Sequence, residues 1–334
     1  MRSKEPTLKK MLSGLANRRI MVVGDFVADE YLFGKTSRIS REAPVLILRY
    51  ASRRIGLGGA GNAVNNLAAL GARVTAVGAV GEDEMGAEIT RLLKRQGVNT
   101  GSLFVERGRP TTTKTRIMAG GPHTTWQQVI RMDRGEYDHY SPKIEQKILQ
   151  TLDEQADQME ALLVSDYQYG VLSPRVIEKV NAMAKSGRLI VTVDSRYRML
   201  KFRNATALTP NESEVEEALG VKLDEREETL RACGRRILKE TEGQAVLITR
   251  GSKGMALILP DGRDRFIPIF GSDEIADVTG AGDTVIAVFT LSLATGASFL
   301  QAAQLANVGG GLVVMKRGAA TVTREELARA LEKS

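Results

Sequence analysis

Residues Asp277 to Thr284 read Asp-Val-Thr-Gly-Ala-Gly-Asp-Thr and lead into the apolar run Val285 to Leu291. If that run is a helix, its first turn offers backbone N–H groups with no partner inside the helix, at the positive end of the helix dipole. Both favour an anion. Glycines at 280 and 282 let a phosphate come close to the main chain, and Asp283 sets a carboxylate base at the same spot. A phosphate cradle beside a base suits phosphoryl transfer onto a hydroxyl. The same residues also fit a tight turn followed by a solvated first-turn aspartate, and both readings stand at this point. No Gly-x-x-x-x-Gly-Lys-Ser/Thr loop occurs, so a nucleotide has to be held by another device.

Such a cradle needs a scaffold, and the chain alternates short apolar runs with helical stripes. Strands are predicted at Ile20 to Val23, Val74 to Val80, Ala161 to Asp166, Leu189 to Asp194, Ala205 to Thr209 and Ala245 to Thr249. Ala60, Val64, Leu67 and Ala68 form a helical stripe stopping at Gly71; Met85, Ile89, Leu92 and Leu93 form another stopping at Gly97. Ser173-Pro174 supplies an N-cap and a first-turn proline, and Ser298 to Gln301 and Thr323 to Glu326 are capping-box patterns. This alternation predicts an α/β fold, a doubly wound and mainly parallel sheet. Two stretches, about 31–51 and 109–131, lack helical stripes and are rich in β-branched residues; they are expected to project as a small β-strand lid. No Pro/Ser-rich linker divides the chain, so 1–334 is expected to be a single domain.

In open parallel sheets ligands bind beyond the carboxyl ends of the strands. Asp25 (with Asp29 four residues on), Asp166, Asp194, Asn211, Glu214 and the Thr249-Arg250-Gly251 segment all fall there. Each alone fits a cap or a turn; together they suggest a site. Gly56, Gly58 and Gly61 spell Gly-x-Gly-x-x-Gly, yet no strand is expected to lead into them as a dinucleotide fold requires, the first strand-to-helix turn being placed at Gly24-Asp25. A backbone platform for a polyhydroxylated ligand, with Asn62 hydrogen-bonding it, fits better.

Bulk properties bound the partners. The 334 residues carry 47 Lys and Arg against 40 Asp and Glu, a net charge of +7 that suits anionic small molecules. Lys9, Lys10, Arg18 and Arg19 cluster early, but other cations are interspersed with acids, so no nucleic-acid partner is expected. A single cysteine, Cys233 in a helix expected over 228–239, rules out an internal disulfide, and with only His123 and His139 no Cys/His metal cluster can form. Met1 to Pro6 lacks the apolar core of a signal peptide and no apolar run nears a membrane span, so a cytoplasmic location and no membrane partner are expected.

From about Arg19 to Glu326 the chain resembles the ribokinase-like sugar kinases of the phosphofructokinase-B type. The resemblance is carried by Gly24-Asp25 with Asp29, Gly34 to Val45, Gly58-Gly59-Ala60 with Asn62, Ser165-Asp166-Tyr167, Thr209 to Glu214, Asp277 to Thr284 and Lys316 to Val322. Thr36 to Val45 is most similar to the branch acting on the anomeric oxygen of D-glycero-D-manno-heptose 7-phosphate. The resemblance implies ATP-dependent transfer to that oxygen, giving the 1,7-bisphosphate. Asp283 would be the base, and the backbone of Gly280, Ala281, Gly282 and Asp283 the anion hole. Asn211 and Glu214 would manage the ATP phosphates and Mg2+, Glu214 through water, with Thr249, Gly251 and Asn307 on the nucleotide. Asp25, Asp29, Gly58, Gly59 and Asn62 would hold the sugar under the lid.

Where the heptose branch carries lysines, this chain has Ser195-Arg196 after Asp194 and Gln168-Tyr169 before Gly170. Lys114, Arg116 and Arg38 are the cations available to a substrate phosphate, or else are solvated charges. Another sugar or sugar phosphate (ribose, fructose, a fructose phosphate) or an inactive ligand sensor are the alternatives. A homodimer through the lid strands is expected by the same resemblance, and dependence on a monovalent cation is left open.

Overall fold

The computed structural model describes residues 8–121, 124–135, 138–224, 226–271, 277–316, 318 and 320–333. His123, Arg317, Ala319 and the segment Met1 to Pro6 lie outside them. The strands, in chain order, are β1 (Arg19–Gly24), β2 (Phe26–Ile39), β3 (Leu46–Gly59), β4 (Arg73–Gly81), β5 (Asn99–Glu106), β6 (Thr113–Gly121) and β7 (Thr124–Arg134), then β8 (Ala161–Asp166), β9 (Ile190–Ser195), β10 (Ala207–Leu208), β11 (Val246–Thr249), β12 (Met255–Ile258) and β13 (Arg265–Ile267).

Nine of these form one sheet in the order β13-β12-β11-β10-β9-β8-β1-β4-β5. Pairing is parallel from β5 through β11, while β12 and β13 add an antiparallel edge. Both faces are covered, as a parallel sheet requires. Ile20 and Val22 of β1 enter one core with the helices Ala60–Ala69, Ala281–Ala294 and Phe299–Val313; Met21 and Val23 enter the other with Pro142–Gln155, Pro174–Lys185 and Glu227–Thr241. The strands are therefore runs of apolar residues rather than alternating ones, and β8 is buried throughout.

Local signals act as expected where they are strong. Ser173 Oγ accepts from Val176 N with Pro174 opening the helix, and Ser298 with Gln301 forms a reciprocal capping box. Thr323 and Glu326 exchange the same pair of bonds. Cys233 is buried inside the helix Glu227–Thr241. The strand expected over 205–209 is shorter, only Ala207–Leu208, although Thr206 N and Thr209 N still donate to Val191 O and Val193 O of β9.

The second sheet has the order β3-β2-β6-β7 and takes in the two stretches that break the alternation. It begins where the chain leaves β1: Asp25 alone separates β1 from β2, so no helix follows Gly24-Asp25. The first strand-to-helix turn is instead at Gly59-Ala60, where β3 runs straight into the helix Ala60–Ala69. This corrects the placement read from the sequence. The cause is that most of β3 is open to solvent, which removes the two-residue alternation that announces a strand. The glycine run still differs from a dinucleotide motif, because β3 pairs antiparallel with β2 outside the parallel sheet.

Candidate active site

Asp283 lies in the first turn of the helix Ala281–Ala294, at the carboxyl ends of the central strands, and is 5% exposed. Gly280 precedes the helix at φ 76°, and a Cβ there would come within 2.3 Å of Asn62 Nδ2. Only glycine fits both the left-handed turn and that close approach. Ala281 N donates to Val278 O and Thr284 N to Gly280 O; no carbonyl among the described residues takes up the N–H groups of Gly282 and Asp283. A Cβ on Gly282 would meet nothing within 4 Å, so an anion can approach this main chain.

Both carboxylate oxygens of Asp283 are held. Asn62 Nδ2 donates to Oδ2 at 2.8 Å and the Tyr167 hydroxyl to Oδ1 at 3.0 Å. Asn66 fixes the Asn62 amide, donating to its Oδ1 and its main-chain oxygen. Burial pushes the Asp283 carboxyl up to about 6, with the Asn62 and Tyr167 hydrogen bonds pulling the other way. A base poised near neutrality suits proton abstraction from a hydroxyl.

One side of Asp283 opens on a pocket of about 420 Å³ lined by Asp166, Tyr167, Asp194, Arg196, Thr209, Asn211, Glu214, Thr249, Val278, Gly280 and Gly282. Burial raises the Asp194 and Glu214 carboxyls; Asp194 is raised further by the charges of Glu214, Asp283 and Asp166. Accumulated negative charge of this kind fits a divalent cation, and Mg2+ is held in general by one or two carboxylates plus phosphate oxygens and water. Asn211 and Glu214 also form a reciprocal capping box on the helix Glu212–Leu219, a signal present in the sequence as Asn followed three residues later by Glu. That bond uses one Glu214 oxygen and leaves the other for water or metal.

An apolar slot of about 150 Å³ adjoins this pocket, sharing Thr249, Val278 and Gly282. Gly251, Met255, Ile269, Val285 and Asn307 also line it, so Thr249, Gly251 and Asn307 come together as expected for a nucleotide. The Asn307 amide is committed, donating to Pro268 O at 2.7 Å.

On the other side lie the residues expected to hold a sugar. Asp29 is 5% exposed and paired with Arg116 at 2.6 Å, and a Cβ on Gly58 would strike its carboxylate at 2.5 Å. Lys114 is buried over the rings of Tyr167 and Tyr169, and burial pulls its ammonium down. Gly59 abuts the Asp25 main chain. The Asp25 carboxylate is buried and accepts from the N–H groups of Tyr167, Tyr169 and Val171, and burial lifts it to about 6. Its place is to brace the loop carrying Tyr167. The sequence places Asp194 among the strand-end acids but gives no role to Tyr167, although it belongs to a motif singled out there, and notes Arg196 only as a departure from the heptose branch. Arg38, toward the exposed far end of β2, lies outside this cluster.

A buried carboxylate between an anion-accepting helix terminus and a polar pocket, on an open parallel sheet with a second sheet beside it, fits a phosphoryl-transferring α/β enzyme. Residues 17–326 match the pfkB family carbohydrate kinase, and the chain belongs to that family. It is 42% identical over 308 residues to the bifunctional protein HldE of Geobacter metallireducens, covering 92% of this chain and 61% of that protein. The corresponding protein of Geobacter sulfurreducens is 40% identical over 312 residues, covering 93% and 62%. The chain thus spans less than two thirds of the length of these relatives. The fold is similar to that of Arabidopsis thaliana ribokinase complexed with ribose and ATP (TM-score 0.73, 20% identity, 96% of this chain and 100% of that one). It is also similar to phosphofructokinase-2 from Escherichia coli in complex with substrates and products (TM-score 0.75, 16% identity, 95% and 99%). The ribokinase-like fold and carbohydrate kinase class follow, and a kinase family implies ATP and a sugar as substrates. No helix among the described residues is long and apolar enough to cross a membrane.

Proposed function

We propose that this chain transfers the γ-phosphoryl group of ATP to the anomeric oxygen of D-glycero-D-manno-heptose 7-phosphate, giving the 1,7-bisphosphate. The observation that carries the reading is the position of Asp283, with the nucleotide slot and polar pocket on one side and Asp29, Arg116 and Lys114 on the other. In its ionised form Asp283 takes the proton of the sugar hydroxyl as that oxygen attacks. The N–H groups of Gly282 and Asp283 meet the charge on the transferred group. Asp29 and Asn62, on the platform of Gly58 and Gly59, orient the sugar.

Asp194 and Glu214 hold Mg2+, Glu214 through water, and the metal supplies charge neutralisation for the triphosphate. The heptose phosphate is favoured by the resemblance of Thr36 to Val45 to that branch, and by Lys114 and Arg116, which give a phosphorylated sugar its counter-charge. The chain is proposed as one domain with the second sheet as its lid, excluding water that would otherwise accept the phosphoryl group. Most of the exposed large apolar side chains lie on or beside that sheet, among them Ile39, Tyr50, Ile130 and Met132, which supports a homodimer through it in a cytoplasmic enzyme.

Release of ADP with ATP and Mg2+ is the test, comparing the heptose 7-phosphate with ribose, fructose and fructose 6-phosphate. Selective turnover of the heptose phosphate is expected. Turnover of another sugar alone would refute the substrate while keeping the chemistry. Tight ligand binding without turnover of any would mark a sensor.

A further inference from the structure

The polar pocket beside Asp283 carries the carboxylates of Asp166, Asp194 and Glu214, and among its lining residues Arg196 is the one lysine or arginine. The turn that bears it is tied down through its own main chain, Ser195 and Arg198. Arg196 N donates to Asp166 O at 3.0 Å, and Ser195 Oγ donates to Asp166 Oδ2 at 2.7 Å. Arg198 N donates to Ser195 Oγ at 3.2 Å, and the Arg198 guanidinium pairs with the Asp166 carboxylate. Asp166 is therefore a strut rather than an acid of the reaction.

Arg196 is the charged member of this turn whose side chain is not used to hold it. It is exposed, makes no ion pair among the described residues, and stands 5.7 Å from the centre of the adjacent Tyr197 ring. It lines the same pocket as Asp283, Gly280 and Gly282, which puts a cation in the space where a phosphoryl group would meet the carboxylate and the anion-accepting helix terminus.

We infer that Arg196 is a catalytic residue whose guanidinium contacts the phosphoryl group in flight. This rests on the kinase reading above. In that step the bond from the γ-phosphorus to the bridging oxygen breaks, with its electron pair staying on ADP, as the bond to the sugar oxygen forms. The sugar proton goes to Asp283, and Arg196 neither gains nor loses one. Rigid backbone anchorage is what such a group needs, because a donor already in place costs no reorganisation when charge develops.

The experiment compares wild type, Arg196→Lys and Arg196→Met by turnover on whichever sugar the wild type accepts, and by calorimetric binding of ADP and of ADP–aluminium fluoride with that sugar. For Arg196→Met a kcat loss of about 10²-fold is expected, with partial recovery on adding guanidinium ion and an intermediate value for Arg196→Lys. ADP should bind within about threefold of wild type while the aluminium fluoride complex weakens about 10²-fold, since only the latter mimics the transferring group. A kcat within about threefold of wild type, or equal weakening of both complexes, would overturn the inference and leave the kinase reading intact. A wild type that phosphorylates no sugar would overturn both.

Discussion

Replacing Tyr167 by Phe removes one hydrogen bond from Asp283 while keeping the ring under Lys114, whose Nζ lies 5.0 Å from its centre. The hydroxyl donates to Asp283 Oδ1 at 3.0 Å, Asn62 holds Oδ2, and the carboxyl stands at about 6. A base has to be ionised, so activity falls as pH drops through that value. The hydroxyl favours the ionised form, and its loss moves the carboxyl up. A hydrogen bond to a charged group is worth about 1.5–3 kcal/mol, and one pKa unit is about 1.4 kcal/mol. With Asn62 still in place the lower figure applies, and the acid limb should move by about one unit, to about 7. At pH 6 the ionised fraction then drops from about a half to about a tenth, a loss of about fivefold in kcat/KM. Above pH 8 the two enzymes should agree within about twofold. The assay is ADP release at subsaturating sugar from pH 5 to about 9. An unmoved acid limb, or a loss by the same factor at every pH, would refute the assignment of Tyr167 as the donor that tunes Asp283.

Asp283→Asn should cut turnover by about 10²–10⁴-fold while stabilising the fold at high pH. The folded carboxyl at about 6 lies above its ordinary 3.8, so its charge costs nothing below pH 3.8 and the full amount above 6. At pH 8 that is about 3 kcal/mol, offset by about 1 for a lost hydrogen bond. Urea midpoints should therefore rise for the variant at pH 8 and not at pH 4, and a lower midpoint at pH 8 would count against a buried charge there. Arg116→Met leaves the buried Asp29 carboxylate without its partner and should lower stability by about 3 kcal/mol. Adding Asp29→Asn should restore part of it, and simple additivity of the two losses would deny the coupling. Gly282→Ala meets open space and should melt like wild type yet bind ATP less tightly; Gly280→Ala, forced against Asn62 at φ 76°, should melt lower. Equal melting of the two would contradict the cradle geometry.

What could be read from the chain follows from how locally each feature is encoded. The parallel sheet was legible because β8 and its neighbours are buried on both faces and read as unbroken apolar runs, and because Ser173-Pro174 and Ser298 to Gln301 cap their helices through adjacent residues. The anion cradle was legible for the same reason, since Gly280 to Asp283 is one contiguous turn. The second sheet was legible as strands outside the main one, from β-branched stretches without helical stripes, but not in its extent: β3 meets solvent along most of its length, so no alternation marks it and its junction with the helix at Gly59-Ala60 was missed. The network around Asp283 was beyond reach for a different reason. Asn62 comes from the helix after β3, Tyr167 from the end of β8 and Arg196 from the end of β9, and nothing within any of these segments refers to the others. Asp25 shows what a strand-end position leaves out: the loop Tyr167 to Val171 folds over it and offers N–H groups to both of its oxygens. Asp166 is engaged in the same way by the turn after β9, through Ser195 and Arg198, so chain topology, not the local sequence, decides which partners a strand-end carboxylate meets.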